Sequence, residues 1–398
     1  MPDNRAAQTS EILGHMTDDL DVPQPLHDAA EREYNHLGEW LNWDNLGRRL
    51  GKSDVYPQGS LRLGTVVKPV TPNGEFDFDI VYVRNLQKQS VTQEELKTSA
   101  KEQLGRYVKC RNERDGSNIE LVEKGRCITL NYPNQFHMDV LPAIPDPDGH
   151  SNSKICCGES LLISDREIRL WLPTNPKAYA NWFTERTKIG ATKMAAFAAR
   201  EGVEVEPIRP PHVPTPLQRS VQLLKRHRDA WYATQRKGGL AEENRPISII
   251  ITTLAALVYE PAGTLLETVQ RILGNMQSGI EEREGVLWVA NPVVPAENFA
   301  EKWQDNPERA KAFRDWLNTA SEDIEKTAGA DLKGFPAVAG LMFGGASVSK
   351  ALNEYATSMA KQRTNGRLAI SSELAGLTSG GGIIIPEHRF YGDVETTH

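Results

Sequence analysis

Residues 76–83 read Phe76-Asp77-Phe78-Asp79-Ile80-Val81-Tyr82-Val83, and this stretch predicts a β-strand because its first positions alternate apolar and acidic side chains. The two faces of the strand carry Phe76, Phe78, Ile80 and Tyr82 on one side and Asp77, Asp79, Val81 and Val83 on the other. Successive side chains of a strand point to opposite faces, so the carboxylates of Asp77 and Asp79 project together. Such a pair is able to bind divalent cations, although two solvent-facing aspartates give the same pattern.

A shorter motif, Gln58-Gly59-Ser60, lies upstream of this strand. It closes a segment, residues 51–59, whose Gly, Ser, Asp and Pro residues predict a loop. A glycine lets backbone N–H groups approach a polyphosphate closely, and a serine hydroxyl adds a directed donor. Gly-Ser pairs are also common in ordinary turns, so the motif alone does not identify a phosphate site.

A third aspartate, Asp139, lies in the segment Phe136-His137-Met138-Asp139-Val140, which predicts another strand. Burying a carboxylate among apolar residues is costly unless a partner or a metal compensates for it. On a neighbouring strand, Asp139 would complete a site for two metal ions. One ion activates an attacking hydroxyl, and the other holds the triphosphate and its leaving pyrophosphate. The order Gly-Ser, Asp-x-Asp, Asp is far more specific than its parts.

Length and charge limit the class of protein. The chain has 398 residues and a formal net charge of −7. At about 150 residues per domain, this length predicts two or three domains, or one enzyme with two lobes. The acidic balance disfavours a surface that binds long duplex DNA or RNA, but it is compatible with a small polyphosphate that carries its own metal ions.

The sequence predicts a cytoplasmic protein without membrane association. Its N-terminus lacks the basic start and apolar core of a signal peptide. The longest apolar run, residues 247–259, is shorter than the roughly 20 residues that span a bilayer. Four cysteines in a chain of this length are too few for a disulfide scaffold.

The predicted fold class is α+β, with two lobes. Residues 1–206 mix helical and strand patterns, including a long helix over 24–50, and predict a mixed-sheet catalytic lobe. Five prolines within residues 207–216 indicate a stiff connection. Residues 217–375 are helical almost throughout and form the second lobe, and residues 376–398 form a polar C-terminal tail.

The motifs together resemble a known superfamily. Gly59-Ser60, sixteen further residues, Asp77-x-Asp79, and Asp139 sixty residues later resemble the signature of polymerase-β-like nucleotidyltransferases. Within that superfamily, residues 171–183, 216–228 and 246–249 resemble the bacterial cGAS/DncV-like nucleotidyltransferases (CD-NTases) of CBASS anti-phage defence. The resemblance covers residues 25–330 and implies a bilobal polymerase-β-like fold.

The resemblance also implies a metal site. Asp77 and Asp79 would bind two Mg²⁺ ions, with Mn²⁺ as an alternative. Asp139 would complete the site on the side of the attacking hydroxyl. The catalytic residues implied by the family are therefore these three aspartates.

Five further residues are implied to bind the nucleotide. Gln58, Gly59 and Ser60 would hold the donor triphosphate, Lys225 would reach a phosphate, and Ser248 would hydrogen-bond the nucleotide. From the residues alone, Lys225 is equally compatible with a solvated charge on a helix, and Ser248 with a helix cap. The cluster Lys225-Arg226-His227-Arg228 indicates either a phosphate contact within a cleft or a solvated face.

The implied activity is synthesis of a cyclic oligonucleotide second messenger from ATP, with GTP as a second substrate, and cyclic AMP-AMP-GMP is the first product to consider. Operon-encoded regulatory or conjugating proteins are the implied partners. Two alternatives remain open: a template-independent transferase that adds nucleotides to RNA ends, and a catalytically silent nucleotide-binding interaction protein. The intact set of carboxylates disfavours the silent protein.

A zinc site and a conjugated C-terminus are both disfavoured. His150 and the pair Cys156-Cys157 resemble the zinc insertion of the animal relatives, but Ser164 occupies the position of the next cysteine. A structural zinc ion needs four nitrogen or sulfur ligands, so thiols without metal are the favoured interpretation. The chain ends in Glu395-Thr396-Thr397-His398, whereas the conjugated relatives end in Gly or Ala.

Overall fold

The structure is a computed structural model that describes residues 4–43, 54–70, 74–133, 136–149, 160–164, 171–200 and 214–364, together with three short strands nearer the C-terminus. Residues 190–200 and the three strands are described through their backbone. The zinc candidates His150, Cys156 and Cys157 lie outside the described residues. So do most of the proline-rich connection and most of the C-terminal tail.

The first half of the chain alternates helices and strands. Its elements are α1 (Asn4–Leu20), α2 (Gln24–Leu41), β1 (Asp54–Gln58), α3 (Gly59–Leu63), β2 (Phe76–Val83), α4 (Gln93–Asp115), β3 (Glu120–Glu123), β4 (Ile128–Tyr132), β5 (Phe136–Pro145), β6 (Leu161–Ser164), β7 (Trp171–Thr174) and α5 (Pro176–Arg200). The predicted strand at residues 76–83 is confirmed at both ends.

The second half is mainly helical, as predicted. Its elements are α6 (Pro216–Lys237), α7 (Ser248–Val258), α8 (Leu265–Asn275), β8 (Glu281–Arg283), β9 (Val286–Trp288), α9 (Lys302–Asp305), α10 (Pro307–Gly329), α11 (Phe335–Phe343), α12 (Gly345–Thr364), β10 (Ala369–Ile370), β11 (Leu377–Thr378) and β12 (Ile383–Ile384). Within the described residues, none of these helices is long and apolar enough to cross a lipid bilayer.

The described residues form a seven-stranded mixed sheet. The path β1-β2-β5-β4-β3 is extended by β6, which pairs with β5 and β7. The pair β2–β5 is parallel, and the other neighbours are antiparallel. The predicted two-faced pattern of β2 is confirmed, because Phe78, Ile80 and Tyr82 enter the core shared with α2 and α4, while Val81 packs on the opposite face.

The prediction of a loop over residues 51–59 is wrong for its described part. Residues Asp54–Gln58 form β1, which pairs with β2 over its whole length. This segment contains Pro57, which removes a backbone donor and reads as a loop residue in isolation. A proline is tolerated on an edge strand, and β1 is the edge of this sheet next to β2.

The largest hydrophobic core belongs to the helices, and it crosses the sequence-based boundary at residue 206. Ile12, Leu13 and Met16 of α1 are buried in this core together with residues of α6, α8 and α10. Phe183 of α5 enters the same core. The division at residue 206 assigned these residues to the catalytic lobe, whereas packing groups them with the helical lobe. Burial depends on which apolar faces meet in space, and sequence order does not fix that.

Candidate active site

The three predicted aspartates meet on one face of the sheet. In the parallel pair β2–β5, Asp79 lies directly beside Asp139, and Asp77 lies beside His137. Asp77 and Asp79 are two positions apart on β2 and so share the face that Asp139 also occupies. All three line one pocket of about 900 Å³ between the sheet and the helices.

Gly59 is held against Asp79 at the end of β1. The pairing of β1 with β2 sets Gln58 opposite Asp79, so that Gly59 follows at the edge of the pocket. Gly59 has a φ of +59°, and a Cβ there would lie 2.2 Å from Oδ2 of Asp79. Gly59 and Ser60 line the pocket as expected, while Gln58 is not among the residues that line it.

The carboxylates of β2 are in an unfavourable electrostatic environment without a cation. Burial, followed by the negative charges of Asp139 and Asp77, raises the pKa of Asp79 to about 7. Burial and the charge of Asp139 also raise the pKa of Asp77. Like charges at close range disfavour the ionised form, so this cluster would gain from a bound cation.

Asp139 has contacts that the sequence did not reveal. Thr129 Oγ1 donates to its Oδ1 at 2.5 Å, and the thiol of Cys127 lies 3.4 Å from its Oδ2. Lys124 Nζ lies 3.2 and 3.1 Å from the two carboxylate oxygens. The register β4–β5, which places Thr129 opposite Asp139, explains the first contact and cannot be derived from spacing. Burial raises the pKa of the Cys127 thiol to about 12, so this sulfur stays protonated at neutral pH.

Lys225 faces the carboxylates from α6. It is 5% exposed, and its Nζ donates to the carbonyl and the hydroxyl of Thr65 at 3.1 and 3.0 Å. Burial, followed by the charge of Arg228, lowers the pKa of Lys225 to about 7, while Asp79 acts in the opposite sense. The alternative of a solvated helix charge is therefore wrong for Lys225.

Ser248 begins α7 and also lines the pocket. Both terminal nitrogens of Arg228 lie 3.3 Å from its hydroxyl oxygen, and one of them donates to the carbonyl of Pro246 at 2.6 Å. Arg228 is not among the site residues predicted from the sequence. It lies three residues after Lys225, and this helical spacing, which places both on the same side of α6, could have identified it. All four residues of the cluster Lys225–Arg228 are buried, so the cluster is not a solvated face.

The two walls of the pocket carry opposite charge. Among the described residues that line it, the sheet side has four carboxylates and one cation, whereas the helical side has five cations and two carboxylates. The sheet side comprises Glu75, Asp77, Asp79, Asp139 and Lys124, and the helical side comprises Lys225, Arg228, Arg236, Lys237, Arg245, Asp229 and Glu242. A metal-bound polyphosphate matches this division, because cations suit the acidic wall and phosphates suit the basic wall.

Comparison with known proteins shows which family the chain is similar to. The Second Messenger Oligonucleotide or Dinucleotide Synthetase domain matches residues 8–187. The c-di-GMP synthase of Roseivirga ehrenbergii is 29% identical over 91% of this chain and 91% of its own. The predicted resemblance to the bacterial CD-NTases is confirmed. The cyclic dinucleotide synthase CdnG of Bradyrhizobium diazoefficiens is 23% identical over 94% of this chain and 88% of its own length.

Solved structures show the same fold. CdnG of Bradyrhizobium diazoefficiens, in complex with GTP, superposes with a TM-score of 0.64 at 21% identity, over 87% of this chain and 99% of its own chain. The Vibrio cholerae cyclic AMP-GMP synthase DncV, in complex with nonhydrolyzable GTP, gives a TM-score of 0.51 at 16% identity, over 85% and 87%. The predicted bilobal polymerase-β-like fold is confirmed, and the chain is a nucleotidyltransferase.

The donor atoms of this pocket fit a hard divalent cation. The three aspartates offer oxygen ligands only, which Mg²⁺ prefers, and the raised pKa values of Asp77 and Asp79 indicate that a cation would stabilise their ionised forms. Elsewhere in the described residues, ligand atoms of His27, Asp28 and Glu31 lie within 4.8 Å of one another. That group is exposed on α2 and lies outside the pocket.

Proposed function

We propose that this chain is a bacterial CD-NTase that joins two nucleoside triphosphates, GTP among them, into a cyclic dinucleotide second messenger and releases pyrophosphate. The observation that supports it best is the pocket of about 900 Å³ with three aspartates on one wall and a basic opposite wall. This volume is at the upper end of the range for small-molecule sites, which suits two nucleotides better than a polymer. The names of the two curated relatives favour a dinucleotide over the cyclic AMP-AMP-GMP expected from the sequence.

The reaction consists of two successive displacements at phosphorus. A ribose hydroxyl of one nucleotide attacks the α-phosphorus of the other, a new P–O bond forms, the bond to pyrophosphate breaks, and the hydroxyl proton is released. The linear product then turns its own 5′-triphosphate toward its free ribose hydroxyl, and a second displacement closes the ring. Each step needs a deprotonated nucleophile and a neutralised leaving group.

The three aspartates take the metal-binding role in this proposal. Asp77, Asp79 and Asp139 would hold two Mg²⁺ ions, with Mn²⁺ as an alternative. When bound, such ions lower the pKa of the attacking hydroxyl and neutralise the charge of the leaving pyrophosphate. Thr129 would orient the carboxylate of Asp139 through its 2.5 Å hydrogen bond. Lys124 would remain paired with that carboxylate while nucleotides exchange.

The triphosphate is held from both walls in this proposal. Gly59 and Ser60 would supply backbone and hydroxyl donors from the sheet side, and Lys225 and Ser248 would supply theirs from the helical side. Arg228 joins this set, because it lines the pocket and contacts the Ser248 hydroxyl. Gln58 would act through the β1–β2 pairing that places Gly59 beside Asp79.

Synthesis from labelled nucleotides tests the proposal. The protein is incubated with α-labelled GTP, ATP or both, with Mg²⁺ or Mn²⁺ and without RNA, and the products are treated with phosphatase. We expect a small phosphatase-resistant product, which is lost in Asp77→Asn and Asp79→Asn. Asp148→Asn, at an exposed ion pair with Lys88, is the matched control and should retain synthesis.

Two results would contradict the proposal. Label that accumulates only on an added RNA primer would identify the protein as an RNA-end transferase. Nucleotide binding without any product, for every nucleotide and metal tested, would identify a silent binding protein. An anti-phage signalling role in the cytoplasm, with regulatory partner proteins, belongs to the same proposal, and loss of protection from phage infection in cells carrying Asp79→Asn tests it.

A further inference from the structure

The segment Leu63–Lys68 begins at the last residue of α3 and continues without regular secondary structure, and we call it the strap. The strap connects the helix that carries Gly59 and Ser60 to the rest of the sheet lobe, and Thr65 is fully buried in it. Within the strap, four backbone carbonyls accept hydrogen bonds from side chains of α6. These bonds are Gln218 Nε2 to Leu63 O at 2.9 Å, Gln222 Nε2 to Val66 O at 3.0 Å, Lys225 Nζ to Thr65 O at 3.1 Å and a terminal nitrogen of Arg226 to Lys68 O at 3.3 Å.

The four donors form one stripe on α6. Their positions, 218, 222, 225 and 226, follow the helical spacing i, i+4, i+7 and i+8, which brings side chains to one face of a helix. A buried carbonyl without a partner is costly, so the strap is stable chiefly at the register where all four bonds form. The stripe therefore fixes the strap along the axis of α6.

Gln222 is built into this contact. It is 2% exposed, and its Nε2 also donates to Oδ1 of Asp21, which Arg219 binds at 2.9 Å. The residue does not line the pocket, so it has no direct access to a nucleotide there. Its amide group holds the strap to α6 and to the end of α1.

Gln218 performs the same task at the other end of the strap. Its Oε1 accepts hydrogen bonds from the backbone and the hydroxyl of Thr215 in a capping box, which leaves Nε2 for Leu63. The next residue, Gly64, has a φ of +64°, and a Cβ there would lie 2.5 Å from that Nε2. The absence of a side chain at Gly64 lets the amide reach the strap.

We propose that Gln218 and Gln222 are positioning residues that set the spacing between the two halves of the triphosphate site. One half, Gly59 and Ser60, lies directly before the strap, and the other half, Lys225, lies on the same helix as the glutamines. This inference rests on the proposed function, because it assumes that a triphosphate bridges the two halves. Neither glutamine touches the nucleotide, and both act through the strap.

Two variants remove the strap contacts with little change in volume. Gln222→Leu deletes the amide donor. Gln218→Glu keeps both acceptor bonds of the capping box and replaces only the donor to Leu63. Gln103→Leu is the matched control: Gln103 is 4% exposed, and its Nε2 donates to the carbonyls of Leu41 and Trp43, outside the pocket.

Equilibrium binding of GTP and of GMP in the presence of Mg²⁺, with ATP and AMP as a second pair, provides the readout. We expect both strap variants to raise the Kd for the triphosphate about tenfold, which is the size of effect expected when a buried hydrogen bond is lost. The strap would then no longer hold Gly59 and Ser60 at the right distance from Lys225. The Kd for the monophosphate should stay unchanged, because a single phosphate does not bridge the two halves of the site. Gln103→Leu should lower the melting temperature and leave both Kd values at the wild-type level.

The outcomes separate this inference from the proposed function. A wild-type protein that binds triphosphate no better than monophosphate would contradict the proposed triphosphate site. A wild-type preference that persists unchanged in folded Gln218→Glu and Gln222→Leu would overturn the positioning role. The same loss of preference in Gln103→Leu would also overturn it, because the effect would then follow general destabilisation.

Discussion

At the scale of single residues, Asp79 contacts or pairs with several other residues of the proposed site. It lies beside Asp139 on one strand and opposite Gln58 on the other, and Gly59 lies against its carboxylate. Burial and two neighbouring carboxylates raise the pKa of Asp79 to about 7. A side chain in this position is sensitive to any group that approaches from β1.

Gly59→Ala should reduce nucleotide transfer by about 100-fold, because displacing a catalytic group by about 1 Å has an effect of that size. The added Cβ would meet Oδ2 of Asp79 at 2.2 Å, and alanine also disfavours the φ of +59°. The initial rate of product formation at saturating nucleotide measures the effect.

Gly105→Ala is the control for this substitution. Gly105 lies inside α4, and a Cβ there meets no other atom within 4 Å. We expect full activity and a gain in stability of about 0.5–1 kcal/mol, as for other glycines replaced by alanine within helices. Gly59→Ala with activity equal to Gly105→Ala would show that the contact with Asp79 is unimportant.

At the scale of elements, α6 connects the parts of the molecule. One side presents Lys225 and Arg228 to the pocket. Another side packs His227 into the helical core, where Trp316 donates to its Nδ1 at 3.2 Å. Four consecutive charged or titratable residues are buried here because each has a hydrogen-bond partner on a different element.

Arg228→Met should destabilise the fold by about 1–3 kcal/mol, the usual effect of leaving a buried hydrogen-bond acceptor without its donor. The substitution leaves Asp229 without the 2.6 Å contact from Arg228 and the Pro246 carbonyl without its donor. Urea denaturation measures the change in the free energy of unfolding.

Arg236→Met, at the exposed end of the same helix, should change the free energy of unfolding by no more than about 0.5 kcal/mol. Equal losses in the two variants would mean that the buried network around Arg228 contributes no more than a surface arginine.

At the scale of the whole molecule, the pocket lies between a sheet lobe and a large helical core, and titratable groups occur in both. Glu297, in the segment before α9, accepts a hydrogen bond from Asn291 at 2.7 Å. Burial raises the pKa of Glu297 to about 7, although this hydrogen bond acts in the opposite direction. The native state therefore holds a proton that the unfolded chain releases near the ordinary glutamate pKa of 4.5.

Glu297 thus makes stability fall as the pH rises between about 4.5 and 7, because the native state binds more protons than the unfolded state in that window. Glu297→Gln keeps an acceptor for Asn291 and removes the titration. We expect the melting temperature of the variant to exceed that of the wild type by more at pH 8 than at pH 5.

Glu243→Gln, an exposed position in the helical half, is the control and should give the same difference from the wild type at both pH values. If the melting temperatures of Glu297→Gln and the wild type differ by the same amount at every pH from 5 to 8, a raised pKa for this carboxyl is contradicted.

Local pattern was sufficient for the parts of this protein that depend on neighbours along the chain. The alternation in residues 76–83 predicted the strand and its faces, since a period of two follows from backbone geometry alone. The order of Gly59-Ser60, Asp77-x-Asp79 and Asp139 pointed to the family, because this reaction needs those groups in a fixed arrangement.

Tertiary contacts were needed for the rest. β1 is a strand because β2 pairs with it, and α1 joins the helical core because its apolar face fits there. Thr129 reaches Asp139 through strand register, and Lys124 reaches it from the connection between β3 and β4. The charges of α6 are buried because partners arrive from elements distant in sequence. Each of these features depends on which surfaces meet in space, and the free energy of such contacts is not encoded within any short window of residues.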